Sequence, residues 1–313
     1  MNAIEQKIEE MFGNRVEKSV LMKKQTTMGV GGIADYFIRV KKIEEIVEIC
    51  KFCYAENIPV LIIGWGSNLV VSDFGFNGMV IKNEAEGLVI NRDRGEVIAD
   101  SGIAIGKLLM SVASNDLGGI EFLAGVPGTL GGAINNNAGS KKYGIGDYIK
   151  SITCLEERTG ELKLMRHEYD WMDFSYRDSK LKSDYKNKKF KPIILTVKLR
   201  LARKRKDEIL RLIQENIQVK NATQPLGEKS AGSFFKNQGN EIEQSAGYLL
   251  DHSGAKKLHI GGAKVSSKHA NFIINNKNAS AEDIRRLAEK MREAVKDNYH
   301  LTLEEEVEYI GKW

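Results

Sequence analysis

Gly125-Val126-Pro127-Gly128-Thr129-Leu130-Gly131-Gly132-Ala133-Ile134-Asn135-Asn136-Asn137-Ala138-Gly139 is the stretch whose reading decides the fold of this chain. Glycine costs conformational entropy wherever no unusual backbone angle or close approach requires it, so a dense cluster needs a local reason. Nine of the 30 glycines fall between Gly118 and Gly146, and none falls between Glu161 and Leu226. Three consecutive asparagines in the same stretch add amide donors and acceptors. A second glycine segment, Gly64-Trp65-Gly66-Ser67-Asn68, follows the strand-like run PVLII. Tight Gly-x-Gly turns aim successive backbone N–H groups into a concavity that suits a phosphate oxygen. Two readings stand at this level. The loops cradle a pyrophosphate-containing cofactor, or they are tight turns in a β-rich domain.

Neither Gly64–Asn68 nor the further run Gly102–Leu108 is a standard nucleotide motif. Gly64-x-Gly66 lacks the third glycine of the dinucleotide fingerprint and runs into strand-like LVVSDFGFNGMVI instead of a helix. Gly102-Ile-Ala-Ile-Gly106-Lys107-Leu108 is one residue too short between glycines for a P-loop and has no Ser or Thr after the lysine.

The wider composition bounds the classes. With 313 residues, 42% hydrophobic and 28% charged, the chain is globular and long enough for two modest domains, which excludes disorder and collagen. A net charge of +5 fits anionic small molecules without demanding nucleic acid. The basic run KLKSDYKNKKFKP has no helical face and no RNA-binding signature around it, and it reads as a solvated loop. The amino terminus MNAIEQKIEEMF has acids where a signal peptide has lysines, and no run approaches the ~18 apolar residues of a membrane span. A cytoplasmic protein is expected. Cys50 and Cys53 form a C-x-x-C pair, but they lie on one face of a helical pattern with Ile43, Ile46, Val47 and Tyr54. No second half of a zinc site exists in the sequence, so packed thiols and no metal are expected.

Periodicity predicts strands at ADYFIRV, PVLIIG, GMVIK and GEVIADSG, a helix at IGKLLMSVASNDLGG, a hairpin SITCLEERTGELKLMRHE turning at Thr159-Gly160, and a long strand PIILTVKLRLA. This is a mixed α+β pattern without a regular βαβ rhythm. The charged stretch ARKRKDE marks a domain boundary near Lys204, giving domains 1–204 and 205–313. The second contains a helix DEILRLIQENIQVK, short strands around HIGGAKVSS and ANFIIN, and a helix opened by the capping box Ser280–Asp283. In that helix Ile284, Leu287, Ala288, Met291 and Val295 form the buried stripe. LTLEEEVEYIG, about 301–311, reads as a final strand.

Several segments, in their order and spacing, resemble the UDP-N-acetylenolpyruvoylglucosamine reductase family. They are Thr26-Thr27 with Gly31-Gly32, GWGSNLVVSD, GVPGTLGGAINNNAG, FSYRDSK, AGSFFKN, AGYLLD, IGGAKVSSKHANFIIN and LEEEVEYIG. The resemblance implies a two-lobed FAD-binding domain of the vanillyl-alcohol-oxidase (PCMH) type, a smaller α+β substrate domain, and a last strand returning to the FAD domain. It implies NADPH as hydride donor and peptidoglycan-precursor synthesis as the context, in a protein expected to act as a monomer.

By motif position, Arg177 and Glu306 match residues that polarise the substrate carboxylate, and Ser233 matches the proton donor. Gly64, Gly66, Ser67, Asn68, Gly125, Gly128, Thr129, Gly131, Gly132, Asn137 and Gly139 match the FAD cradle. Gln224, Asn237 and His269 are carried over for the UDP-sugar. Without the motif, Arg177 reads as a surface arginine, Ser233 as a turn residue and Glu306 as part of a solvated acidic run. Strand alternation even puts Glu304 on the same face as Glu306.

The chain departs from the family pattern at Gln238, at Trp65 and across Ser140–Gly144, and it resembles the branch that lacks a tyrosine-bearing substrate loop. A flavin oxidase of another substrate and a non-catalytic nucleotide-binding module are the competing readings.

Overall fold

Two hydrophobic cores organise the chain. The structure, a computed structural model, describes residues 3–140, 143–183 and 190–313. The chain divides into two compact units. The first is Met1–Glu17, Phe37–Gly64 and Gly78–Gln218, and the second is Lys18–Tyr36, Trp65–Asn77 and Val219–Trp313.

The first unit is built on the expected hairpin. Ile149–Arg158 and Glu161–Glu168 pair antiparallel around Thr159 and Gly160, both left-handed at φ +53° and +81° as a two-residue hairpin turn requires. Ile193–Arg200, Glu96–Asp100 and Leu88–Asn91 extend this to a five-stranded antiparallel sheet. The helix Ile105–Ala113 packs into the same core, where Leu108, Val112, Ile152, Cys154, Val197 and Leu199 are buried. Helix Ile43–Ala55 lies between the strands Ile33–Val40 and Val60–Ile63 in the chain, and Val60–Ile63 pairs parallel with 79–82. Cys50 and Cys53 are buried on that helix, and burial pushes the Cys53 thiol up to about 12 and Cys50 higher. They are inert packing residues at neutral pH.

The second unit packs around the helix Ala281–Tyr299, whose Ile284, Leu287, Ala288, Met291 and Val295 are all buried. Ser280 caps it as expected, accepting from Asp283 N at 2.9 Å, and the Asp73 carboxylate accepts from Ala281 N and Glu282 N. A three-stranded sheet (His259–Ile260, Ala263–Val265, Ile273–Asn275) and the helix Ala246–His252 complete it.

The units divide at Gln218, inside the helix Lys206–Thr223, and not at Lys204. Ile209 and Ile213 explain the difference: they bury in the first unit's core and carry the helix's first half with it. Two early segments also join the second unit: Thr27 Oγ1 donating to Ser230 O (2.7 Å) and Asn275 Nδ2 donating to Met28 O and Gly29 O (3.0 Å each) hold the first, and Asp73 at the helix start holds the second. The final strand is shorter than its pattern: it runs over Glu308–Ile310, parallel with Leu69–Val71. Of the basic run, Lys180–Ser183 is a short helix, and residues 184–189 lie outside the described set. Among the described residues no helix is long and apolar enough to cross a membrane, and no His, Cys, Asp or Glu group is arranged to hold a metal.

Candidate functional site

In the first unit the glycine segment folds back on residues 101–105. Ile105 N donates to Gly128 O (3.1 Å), Leu130 N to Ile103 O (2.9 Å) and Gly131 N to Ser101 O (2.7 Å). Gly125 and Gly128 take positive φ, and Gly139 bridges Gly144.

Two glycines separate structural need from open space. A Cβ at Gly64 would lie 2.4 Å from Oγ1 of buried Thr129, so the protein's own packing demands glycine there. At Gly132, exposed within the helix Leu130–Asn135, the nearest atom to a Cβ is 3.8 Å away. Nothing among the described residues requires a glycine at that point. A bare backbone facing open space beside Thr129 fits a cradle for a bound group, and the donor set of backbone N–H groups fits an anionic one.

Arg177 sits at the tip of a two-residue turn closed by Ser175 N to Asp178 O (3.2 Å) and Asp178 N to Ser175 O (3.3 Å). Its φ of +55° is unusual for a residue with a side chain, and such conformations persist where surroundings over-determine them. The surroundings are the asparagines of the glycine segment. Asn137 Nδ2 donates to Ser175 O (2.9 Å), Ser179 Oγ donates to Asn135 O (2.9 Å) and Lys182 Nζ donates to Asn136 Oδ1 (2.9 Å). Asn137 Oδ1 meanwhile accepts from Gly146 N (3.0 Å). The Asn137 amide thus ties the arginine turn to the glycine segment.

In the second unit Gly66 is left-handed, with its carbonyl accepting from Thr27 N (3.3 Å). Ser67 and Asn68 follow. Asn68 Nδ2 donates to Glu306 O (3.1 Å) and Asn68 O accepts from Glu308 N (2.9 Å), so this residue also acts inside the protein, as a support for Glu306.

Ser233 follows left-handed Gly232 and precedes buried Phe234 and Phe235. Glu306 N donates to Phe234 O (2.8 Å) and Lys236 N to Glu304 O (2.8 Å), which brings the serine and glutamate segments side by side. The three glutamates are then told apart by partners. Glu304 is exposed and pairs with Lys236 Nζ (2.6 Å), whereas Glu305 pairs with Arg292 (2.8 Å) and accepts from the Tyr309 hydroxyl (3.0 Å). Burial, reinforced by Glu305, pushes the Tyr309 phenol well up, which keeps it a neutral donor. Glu306 is half-buried next to Phe234.

Asn237 Oδ1 accepts from Ala246 N (3.0 Å). His269 Nδ1 accepts from Asn271 N (3.2 Å), which assigns the proton to Nε2, and burial together with Lys256 holds its pKa below the ordinary value against the opposing Asp251. Gln224 extends the helix Lys206–Thr223 by one residue, its N donating to Lys220 O (2.8 Å). Sequence reasoning missed Asn271, Arg292 and Glu305, whose contacts with the 233–236 and 304–306 segments are set by the fold and leave no local signal.

A family model for the C-terminal domain of UDP-N-acetylenolpyruvoylglucosamine reductase matches residues 224–310, and one for an FAD-binding domain matches 34–165. The reductase of Desulfosudis oleivorans is 36% identical over 307 residues, covering 96% of each chain. The chain belongs to the UDP-N-acetylenolpyruvoylglucosamine reductase family. The reductase of Lachnoclostridium phytofermentans is 37% identical over 95% of this chain and 94% of its own. The crystal structure of the Thermus caldophilus reductase superposes with a TM-score of 0.76 at 33% identity, covering 95% of this chain and 99% of that one. The α+β expectation, with an FAD-binding domain ahead of a reductase C-terminal domain, thus holds. The FAD-binding model spans both glycine segments, Gly64–Asn68 and Gly125–Gly139.

Proposed function

We propose that Arg177, Ser233 and Glu306 carry the chemistry of an FAD-dependent, NADPH-using reduction of UDP-N-acetylenolpyruvoylglucosamine to UDP-N-acetylmuramate, in peptidoglycan-precursor synthesis. As a member of this reductase family the chain is a flavoenzyme oxidoreductase. FAD, when bound, relays a hydride from NADPH to the enolpyruvyl methylene. The residues proposed to hold it are Gly64, Gly66, Ser67, Asn68, Gly125, Gly128, Thr129, Gly131, Gly132, Asn137 and Gly139, of which Asn68 and Asn137 are also hydrogen-bonded within the protein.

Hydride arrival at the methylene makes a methyl group and drives negative charge onto the adjacent carbon and its carboxylate. Arg177 is suited to that carboxylate through its planar fork of donors. Glu306 is proposed to act with Arg177 in polarising that carboxylate. Ser233 Oγ then gives its proton to the carbanion-like carbon and regains one from solvent, completing the lactyl ether. Gln224, Asn237 and His269 are proposed for the UDP-sugar, with neutral His269 donating from Nε2.

One observation carries this reading most: the backbone bond from Glu306 to Phe234 that sets the glutamate beside the serine segment. The experiment is NADPH oxidation by the purified yellow protein. Turnover that depends on the UDP-enolpyruvyl sugar supports the reductase, and turnover with oxygen alone supports the flavin-oxidase reading instead. Monomeric action in the cytoplasm completes the proposal, supported by three free buried cysteines of the kind a reducing compartment maintains; sedimentation of the holoenzyme tests the monomer.

A further inference from the structure

The segment around Ser233 is not a strand, yet it is hydrogen-bonded along both edges. On one edge the Glu306-to-Phe234 and Lys236-to-Glu304 bonds make Phe235 and Glu305 an antiparallel pair. When such bonds flank a residue, its own N–H and carbonyl point to the other edge. There they meet one side chain. Phe235 N donates to Asn271 Oδ1 (2.9 Å), and Asn271 Nδ2 donates to Phe235 O (2.8 Å). One residue closer to the serine, Phe234 N donates to Asn271 O (2.8 Å).

A single buried asparagine, 2% exposed, therefore does the work of a neighbouring strand. Only an amide offers a donor and an acceptor side by side, as this pairing needs. An aspartate would keep the bond from Phe235 N and set a second acceptor against Phe235 O. On the other side of Ser233, Gly232 is left-handed at φ +79° and Ser230 O accepts from Thr27 Oγ1 (2.7 Å), while Phe234 and Phe235 carry the restraint that Asn271 supplies.

We propose that Asn271 is a positioning residue for the Ser233 hydroxyl, holding the serine segment in register with the segment that carries Glu306. The proposal rests on Ser233 being the proton donor. Its role is geometric: a proton donor must lie within reach of the carbon it protonates, and displacement of a reacting group by about 1 Å slows a step by as much as ~10²-fold.

The test uses FAD-loaded Asn271→Leu, Asn271→Asp, Ser233→Ala and the double variant Ser233→Ala/Asn271→Leu, with the two half-reactions followed by stopped flow. Flavin reduction by NADPH is expected to stay near the wild-type rate in all four. Reoxidation by the UDP-enolpyruvyl sugar is expected to slow by roughly 10- to 100-fold in Asn271→Leu and less in Asn271→Asp, with a larger solvent deuterium effect in both. In the Ser233→Ala background, Asn271→Leu should add almost nothing, because the hydroxyl it positions is already gone. Equal slowing by Asn271→Leu in both backgrounds would overturn the proposal, as would equal loss in both half-reactions. Wild-type reoxidation in Asn271→Asp, or failure of both Asn271 variants to retain flavin and melt cooperatively, would also overturn it. Unimpaired reoxidation in Ser233→Ala alone would instead remove the proton-donor reading on which it rests.

Discussion

The arginine turn and the serine segment reach fixed geometry by opposite routes. The turn that carries Arg177 hangs on one continuous motif: residues 175–182 bond to Asn135, Asn136 and Asn137, three consecutive residues of the glycine segment. The Ser233 segment is held from two separate stretches, with Asn271 on one edge and Glu304 to Glu306 on the other. A motif of the first kind announces itself in the sequence. Support of the second kind is invisible until the chain is folded, because an asparagine in a strand-like run carries no local sign of what its amide will bond.

The largest effect short of the catalytic residues is expected at Gly64. Gly64→Val puts a branched side chain where even a Cβ would lie 2.4 Å from Thr129 Oγ1. Overpacking of this kind typically costs about 1–3 kcal/mol. Urea titration of the apoprotein should show a lower midpoint, and an unchanged midpoint would mean the cradle is looser than drawn.

Gly132→Ala sharpens the same comparison with the opposite sign. It lies in a helix with room for a methyl group, so the apoprotein should gain stability by about 0.5–1 kcal/mol while FAD affinity falls. Calorimetric melting and flavin titration report the two quantities separately. Tighter or equal FAD binding would remove Gly132 from the cradle.

A smaller effect belongs to the serine side. Burial lowers the pKa of His269 in the folded protein below the ordinary histidine value of 6.5, so below that pH the unfolded chain binds a proton that the folded one does not. Folding stability should then rise with pH from the folded-state pKa up to about 6.5 and level off above it. His269→Gln should flatten that part of the urea-midpoint profile. A profile identical to wild type would show that the imidazole is solvated.

The hairpin at Thr159-Gly160, the capped helix Ala281–Tyr299 and the α+β class were all legible in the sequence because periodicity and turn chemistry are local. The unit division was not. Residues 18–36 and 65–77 join the C-terminal unit through Thr27, Asp73 and Asn275, contacts that skip more than 200 residues. At the candidate site, residue types and motif order pointed to Arg177, Ser233 and Glu306. Strand alternation alone groups Glu304 with Glu306, and only the motif separated them; in the fold Glu304 pairs with Lys236 and Glu305 with Arg292. Asn68 and Asn137 were read as ligand donors; each also hydrogen-bonds within the protein, which a sequence, showing only that an amide is present, does not reveal.

The most direct measurement is stopped-flow resolution of the two half-reactions in Ser233→Ala. If the serine is the proton donor, NADPH should reduce the flavin at close to the wild-type rate, and reoxidation by the UDP-enolpyruvyl sugar should slow by about 10²-fold or more. Equal slowing of both half-reactions, or of neither, would contradict the account.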